Sequence, residues 1–156
     1  MVKNTLNWAE DGLSFDDILA KLQKQIDGTS AFIMVDDLNH LVKGGRLSNG
    51  SALIGNLLSI KPILYFNDEG VIEVYEKVRT EKKAIKRLVD VLSDVTKNGE
   101  YEVFIIHSRA EEKAQHFYQT LAERGQTENL EIVSFDGVIA THLGEGAVAF
   151  GFTPIV

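Results

Sequence analysis

A β-hairpin followed by alternating helices and strands constrains the fold of this chain more than any other feature. Two apolar segments, residues 60–66 and 71–78, flank Asn67-Asp68-Glu69-Gly70, which has turn chemistry. Helical and strand patterns then alternate up to a last strand at residues 147–152. A hairpin requires an antiparallel pair, and strand–helix alternation implies parallel crossovers. The pattern therefore predicts an α/β fold, with a mixed sheet of about six strands covered by helices.

The first half of the chain carries its own helix and strand signals. Apolar residues recur at helical spacing between Ser14, which opens an S-x-x-D sequence resembling a capping box, and Gly28. Residues 31–35 have the composition of a short buried strand. Two further short helices are predicted at residues 37–43 and 50–58.

Two helix starts in the second half have capping signals. Thr80 predicts the N-cap of a long amphipathic helix, and Ser108 with Glu111 predicts a capping box for the next helix. No repeat or low-complexity linker divides the chain. We therefore expect a single α/β domain over residues 14–156, preceded by a lead-in segment at residues 1–13.

The composition limits the possible classes of function. The 156-residue chain is 44% hydrophobic, and it contains no cysteine for a disulfide framework, so we expect a cytoplasmic protein. No apolar run approaches the roughly 20 residues that cross a bilayer, so no stable membrane insertion is expected. A net charge of -7 argues against general affinity for nucleic acid. One basic stretch, residues 77–87, is either a solvated helix face or a patch that binds a partner.

The segment Lys43-Gly44-Gly45-Arg46 is the first candidate for binding chemistry. A glycine pair lets the chain adopt positive φ and expose backbone N–H groups. Arg46 can direct two parallel hydrogen bonds at a carboxylate or phosphate, and Ser48 adds a hydroxyl. The alternative is a plain helix C-cap with basic residues beside the helix dipole.

A histidine near the end of the chain is the second candidate. His142 is predicted to lie in a glycine-rich loop, residues 140–147, between two strands. In that position it can hydrogen-bond an anionic ligand or carry a proton near neutral pH. The alternative is a histidine that only satisfies loop carbonyls.

The remaining histidines and the acidic residues give weaker signals. His40, His107 and His116 are expected to have structural or surface roles. No pair of histidines has zinc-ligand spacing, and the chain has no nucleophile elbow, P-loop or dinucleotide fingerprint. We therefore expect no metal and no cofactor, and the residues alone do not identify a ligand.

Four segments taken together resemble the DegV family of bacterial fatty-acid-binding proteins. They are "LNHLVKGGRLS", "LLSIKPIL", "EKVRTEKKAIKRL" and "THLGEGAVAFGF", and they occur in the family's order over essentially the whole chain. Proteins of this family have two lobes, and the resemblance implies that this chain matches only the C-terminal lobe, with the EDD fold. The resemblance implies a two-layer α/β lobe with a mixed six-stranded sheet. Residues 1–13 are then part of a helical lead-in from an N-terminal lobe that this sequence lacks.

The resemblance also implies a function and a site. The family binds long-chain fatty acids, holding the acyl tail in an apolar tunnel, and some members present the carboxylate to a separate fatty acid kinase subunit. The chain would then be a lipid carrier rather than an enzyme. Arg46 and His142 are the expected head-group residues, with Gly45 permitting close approach and Ser48 nearby. Where the family usually has T-H-x-G-P-G, this chain has Glu145 in place of the proline, which leaves the assignment intact only if that carboxylate points outward.

Two other classes of function remain open. The chain is similar in architecture to substrate subunits of dihydroxyacetone kinases, in which His142 would be a covalent anchor for a small ketone. That role needs a small, polar pocket. The other class is a protein-interaction module that binds no small ligand.

Overall fold

The computed structural model describes residues 1–47 and 60–156, which form six helices and six strands. The helices are α1 (Val2–Glu10), α2 (Phe15–Gly28), α3 (Asn39–Lys43), α4 (Glu81–Thr96), α5 (Glu111–Ala122) and α6 (Gly137–Leu143). The strands are β1 (Ser30–Met34), β2 (Lys61–Phe66), β3 (Ile72–Val78), β4 (Tyr101–His107), β5 (Leu130–Ser134) and β6 (Val148–Pro154). The helix predicted at residues 50–58 lies outside the described residues.

The strands form one mixed sheet in the order β3-β2-β1-β6-β4-β5. Strands β4 and β5 pair in parallel across α5, and the other described neighbours are antiparallel. The hairpin β2–β3 has its predicted turn, and its register shifts at Ile63/Leu64, just after Pro62. A proline cannot donate a ladder hydrogen bond, so an irregularity beside it is expected. The predicted α/β class and six-stranded mixed sheet are confirmed.

One face of the sheet packs against α4 and α5. Helix α4 begins at Thr80, whose side chain accepts a hydrogen bond from the Lys83 backbone N–H, as the sequence predicts. Its apolar face is fully buried and meets Phe150 at the centre of the sheet. Within the basic stretch, the Arg87 guanidinium pairs with Glu76 at 2.7 Å, which leaves less positive charge for a partner.

The described residues cover the other face of the sheet only in part. The short helices α3 and α6 pack against each other and over one end of β1 and β6. Helix α2 contacts β6, but Gln25 is its only buried residue, while Phe15, Leu19 and Ile26 are exposed. Of the described helices, none is both long enough and apolar enough to cross a membrane.

The helical lead-in implied before Ser14 agrees with α1, whereas two other local expectations were wrong. Ser108 does not cap α5: the helix begins two residues later than the motif implies, with Ala110 as its N-cap, and the Ala110 N–H donates to His107 Nδ1 at 3.3 Å. Helix α6 was predicted as a loop, although Asp136 is a good N-cap whose carboxylate accepts from the Ile139 N–H.

Candidate functional site

The two candidate segments meet because of how the central strands pair. Strands β1 and β6 are antiparallel neighbours, and Met34 at the end of β1 pairs with Val148 at the start of β6. Helix α3 follows β1 and helix α6 precedes β6, so both helices lie at the same end of the sheet. Arg46 and His142, which are almost a hundred residues apart in the sequence, therefore line one cavity.

The double glycine forms the C-terminal cap of α3. The Arg46 N–H donates to the Leu41 carbonyl at 2.9 Å and the Gly45 N–H donates to the Val42 carbonyl at 3.0 Å, with Gly45 at φ 66. These bonds are those of a Schellman motif, which needs a left-handed residue at this position. The backbone N–H groups that the sequence offered as ligand donors are thus engaged in the cap, and the Arg46 side chain remains as the donor.

The Arg46 guanidinium is exposed, and no acidic side chain of the described residues neutralises it. Its Nη1 donates to the Gly44 carbonyl at 2.7 Å, which orients the side chain back over the cap. Over residues 1–47 and 60–156, no carboxylate forms an ion pair with Arg46. A guanidinium held in this way keeps donors for an anion that arrives from outside.

His142 lies in the last turn of α6 and not in the predicted loop. Gly144, at φ 77, ends this helix, and the half-buried imidazole packs against Gly44. A Cβ added at Gly44 would lie 2.6 Å from His142 Nδ1, so only glycine leaves room for the ring in this position. Gly44 therefore contacts both candidate residues. Its carbonyl accepts a hydrogen bond from Arg46, and its Cα packs against the ring of His142.

Beside these two residues is a cavity of about 490 Å³ with mainly apolar walls. Its walls come from the open face of the sheet and from α3 and α6, and they include Ala31, Ile33, Phe66, Ile106, Ile139 and Ala149. The polar side chains, Arg46 and His142, line the same cavity. This combination suits an amphipathic ligand with one polar end.

A second cavity continues along the same face of the sheet. It is also about 490 Å³, shares Ala31, Phe66 and Ile106 with the first, and adds Gly151 on β6. Ala31 and Gly151 are paired in the register of β1 and β6, so two small residues face each other at the centre of the sheet. We call the two cavities together the trough. The trough is deep at Ala31 and Gly151 because these positions carry little or no side chain.

The other predicted site features divide into three groups. Ser48 lies outside the described residues, so its place in the site stays a prediction. Glu145 points away from the cavity and pairs with Arg109 at 2.7 Å, with both side chains largely exposed. In the described part of the chain, no cluster of His, Asp or Glu has the arrangement of a metal site.

An ion-pair network fixes the loop that follows α6. Asp36 accepts from Lys61 at 2.7 Å and from Lys113 at 2.8 Å, and Lys113 also pairs with Glu81 and donates to the Gly146 carbonyl. Burial alone would raise the pKa of Asp36, but hydrogen bonds from Lys113 and Lys61 outweigh it and hold that pKa below its usual value. A side chain at Gly146 would collide with the Asp36 carboxylate.

The substitution Asp36→Asn is expected to destabilise the fold by about 0.5–1.5 kcal/mol at pH 7, a small value because solvent screens this partly exposed network. The lowered pKa means that the carboxylate stabilises the fold above its unfolded-state pKa and that this contribution is lost as pH falls through the folded-state pKa. The difference in unfolding free energy between wild type and variant, measured with urea, should therefore shrink as the pH is lowered through the folded-state pKa of Asp36. Asp94→Asn, at an exposed position, is the matched control, and an equal effect of both substitutions would contradict the prediction.

No motif in the sequence identifies the apolar walls. Ala31, Ile106 and Gly151 belong to strands that the sequence predicts, but hydrophobic strand residues give no sign of which sheet face stays open. The small residues of β1 and β6 are the one available signal. Predicting that these small residues pair across the sheet requires the strand order, and no local pattern in the sequence predicts that order.

Comparisons with known proteins agree with this architecture. Residues 1–154 match the family described as "Uncharacterised protein, DegV family". A DegV domain-containing protein of Streptococcus pyogenes serotype M1 is 67% identical over 154 residues, which are 99% of this chain and 55% of that protein. One from Streptococcus pneumoniae strain R6 is 57% identical over 156 residues, with 55% of its length covered. The chain thus spans about half the length of these relatives.

Solved structures give the same result. A fatty acid binding DegV family protein from Streptococcus agalactiae has a TM-score of 0.95 and 63% identity, over 99% of this chain and 55% of that one. DegV from Bacillus subtilis, described as a fatty acid binding protein, has a TM-score of 0.78 and 38% identity, over 97% of this chain and 54% of that one. Both similarities cover nearly all of this chain and about half of the other.

Proposed function

The chain belongs to the DegV family, and on that premise we propose that it is the C-terminal lobe of a long-chain fatty acid carrier. Arg46 and His142 bind the carboxylate at the mouth of the trough, and the acyl tail lies along β1 and β6. Gly45 shapes the head-group loop through its left-handed backbone, and Ser48 adds a hydroxyl to it.

One observation carries this proposal: a cationic side chain and a histidine meet at one end of an extended apolar trough. Burying each methylene of an acyl tail contributes about 0.8 kcal/mol, so a long tail supplies most of the affinity. The carboxylate is costly to remove from water unless it gains hydrogen bonds and a positive partner. Arg46, which has no acidic partner among the described residues, is suited to that task.

The exposed position of the head-group residues supports a carrier that presents its ligand. Arg46 is exposed and His142 is half-buried, so the polar end of the trough lies near the surface. We propose that a separate fatty acid kinase subunit phosphorylates the carboxylate there, in the cytoplasm, and that this chain itself is not an enzyme. The kinase subunit, and not this chain, would bind the ATP.

The incomplete cover of the sheet by residues 1–47 and 60–156 supports a second lobe. The open face of the trough and the exposed apolar residues of α1 and α2, among them Val2, Leu6 and Phe15, are a surface that a further lobe can bury. We propose that the half by which relatives exceed this chain forms that N-terminal lobe and supplies further hydroxyl groups to the carboxylate. Residues 1–13 then connect the two lobes.

The two alternative functions have less support. A covalent anchor for a small ketone needs a small, polar pocket, whereas the cavity beside His142 is about 490 Å³ and mainly apolar. An interaction module without a ligand leaves the trough unexplained. Among the basic residues offered for docking, Arg87 is already paired with Glu76.

The test is mass spectrometry of the lipid that co-purifies with three proteins. The first is this chain alone. The second, which we call the two-lobe protein, is this chain joined to the remaining portion of the Streptococcus pyogenes relative. The third is the two-lobe protein with Arg46→Ala. We expect fatty acid in the two-lobe protein, little in the lone chain, and about tenfold weaker binding in the variant, since a hydrogen-bonded charge contributes about 1.5 kcal/mol.

Competition between acids of increasing chain length distinguishes the alternatives. A tunnel gains affinity with each added methylene, whereas a ketone pocket excludes long acids. Lys43→Ala in the two-lobe protein is the control for Arg46→Ala, because it removes an exposed positive charge three residues from Arg46. A two-lobe protein that carries no fatty acid would sink the lipid-carrier proposal.

A further inference from the structure

Helices α3 and α6 interlock through a reciprocal pair of histidine–glycine contacts. The His142 ring of α6 packs on Gly44 at the end of α3, and the His40 ring of α3 packs on Gly144 at the end of α6. A Cβ added at Gly144 would lie 2.6 Å from His40 Cδ2 and 3.0 Å from Nε2. The imidazole of His40 thus covers the Cα of Gly144.

Among the described residues, no polar contact of the His40 side chain accounts for this position. It is an exposed residue, and in the described ranges its side chain makes no hydrogen bond or ion pair. Its backbone carbonyl accepts from the Gly44 N–H at 3.0 Å, which ties the same residue to the other contact of the pair. His40 therefore touches both glycines, one through its ring and one through its backbone.

We propose that His40 is a positioning residue for the head-group site, a role that rests on the proposed function. Its ring holds the end of α6, and α6 carries His142. His142 in turn rests on Gly44, whose carbonyl accepts from Arg46 Nη1 at 2.7 Å. The chain of contacts from His40 to Arg46 fixes the separation of the two groups that bind the carboxylate.

Removing the ring is expected to loosen the last turn of α6. Binding must then order His142 at the moment that the ligand arrives, and this cost lowers the affinity. We expect His40→Ala in the two-lobe protein to weaken fatty acid binding on the order of tenfold, because binding groups must be held to about 0.5 Å. The melting temperature should change by no more than about 2 °C, since the position is exposed.

The experiment compares His40→Ala with His40→Phe in the two-lobe protein. Phenylalanine keeps a flat ring over Gly144 but has no polar atom and no charge. His116→Ala removes an exposed histidine on α5 and is the matched control. The measurements are the dissociation constant for palmitic acid by calorimetry and the NMR signal of the His142 Cε1–H in protein labelled at histidine.

The expected result is a shifted and broadened His142 signal with tenfold weaker binding in His40→Ala only. His40→Phe and His116→Ala should keep the signal and stay within about twofold of wild-type affinity. Unchanged His142 signal and affinity in His40→Ala would overturn the inference. It would also be overturned if His40→Phe bound as weakly as His40→Ala, because the polar atoms of His40 would then act on the ligand directly.

The NMR arm separates this inference from the proposed function. If the wild-type two-lobe protein binds no palmitic acid, the carrier proposal fails, yet the response of His142 to His40→Ala can still be read without ligand. A disturbed His142 signal would then support the positioning contact alone. An undisturbed signal would overturn both.

Discussion

Phe150→Ala is expected to lower the free energy of unfolding by about 3–5 kcal/mol, as deletion of a fully buried aromatic ring does. Phe150 is 0% exposed at the centre of β6. Its ring centroid lies 5.2 Å from that of Phe32 and 6.2 Å from that of Phe117 on α5. The substitution leaves a cavity where the sheet and the two long helices meet, and this close-packed region cannot collapse to fill it. Urea denaturation measures the change.

Phe15→Ala is the control for the same chemical change on the surface. Phe15 is 74% exposed at the start of α2, so its replacement should change stability by less than about 0.5 kcal/mol in the isolated chain. Similar losses at both positions would contradict the assignment of the core. A larger loss for Phe15→Ala in the two-lobe protein than in this chain would indicate that the second lobe covers α2.

Gly151→Leu is expected to shorten the acyl chain that the two-lobe protein accepts. A Cβ at Gly151 would lie 3.5 Å from Ile106 Cδ1, an ordinary contact, so the backbone tolerates the change while the rest of the leucine enters the trough. Displacing about four methylenes would cost about 3 kcal/mol, on the order of a hundredfold in the dissociation constant for a long acid. Acids short enough to end before Gly151 should bind as in wild type.

Gly151→Ala is the control within the same position. Its single methyl group fits at ordinary van der Waals distance from Ile106 and Ala31, so the preferred chain length should hardly change. Calorimetric titration with a series of saturated acids gives the comparison. If Gly151→Leu weakened short and long acids equally, the tail would not follow β1 and β6, and the proposed path of the ligand would have to be abandoned.

Local chemistry in the sequence predicted most of the elements. The turn at Asn67-Asp68-Glu69-Gly70 and the cap at Thr80 are set by residues within a few positions of one another, and both occur as predicted. Helix α6 was missed because its seven residues contain two β-branched apolar side chains and a glycine start, so the periodic signal is short. The capping motif at Ser108 was wrong because His107, held by β4, supplies the acceptor instead.

By itself the sequence determined the class of the fold, the family and two candidate residues, because these depend on composition, periodicity and local motifs. Only the tertiary structure decided that β1 and β6 pair at the centre of the sheet, which brings Arg46 and His142 to one cavity. It also decided that Glu145 turns outward to Arg109, and that His40 rests on Gly144. These contacts join residues between 36 and 122 positions apart. Such contacts follow from strand order and close packing, to which no local pattern in the sequence corresponds.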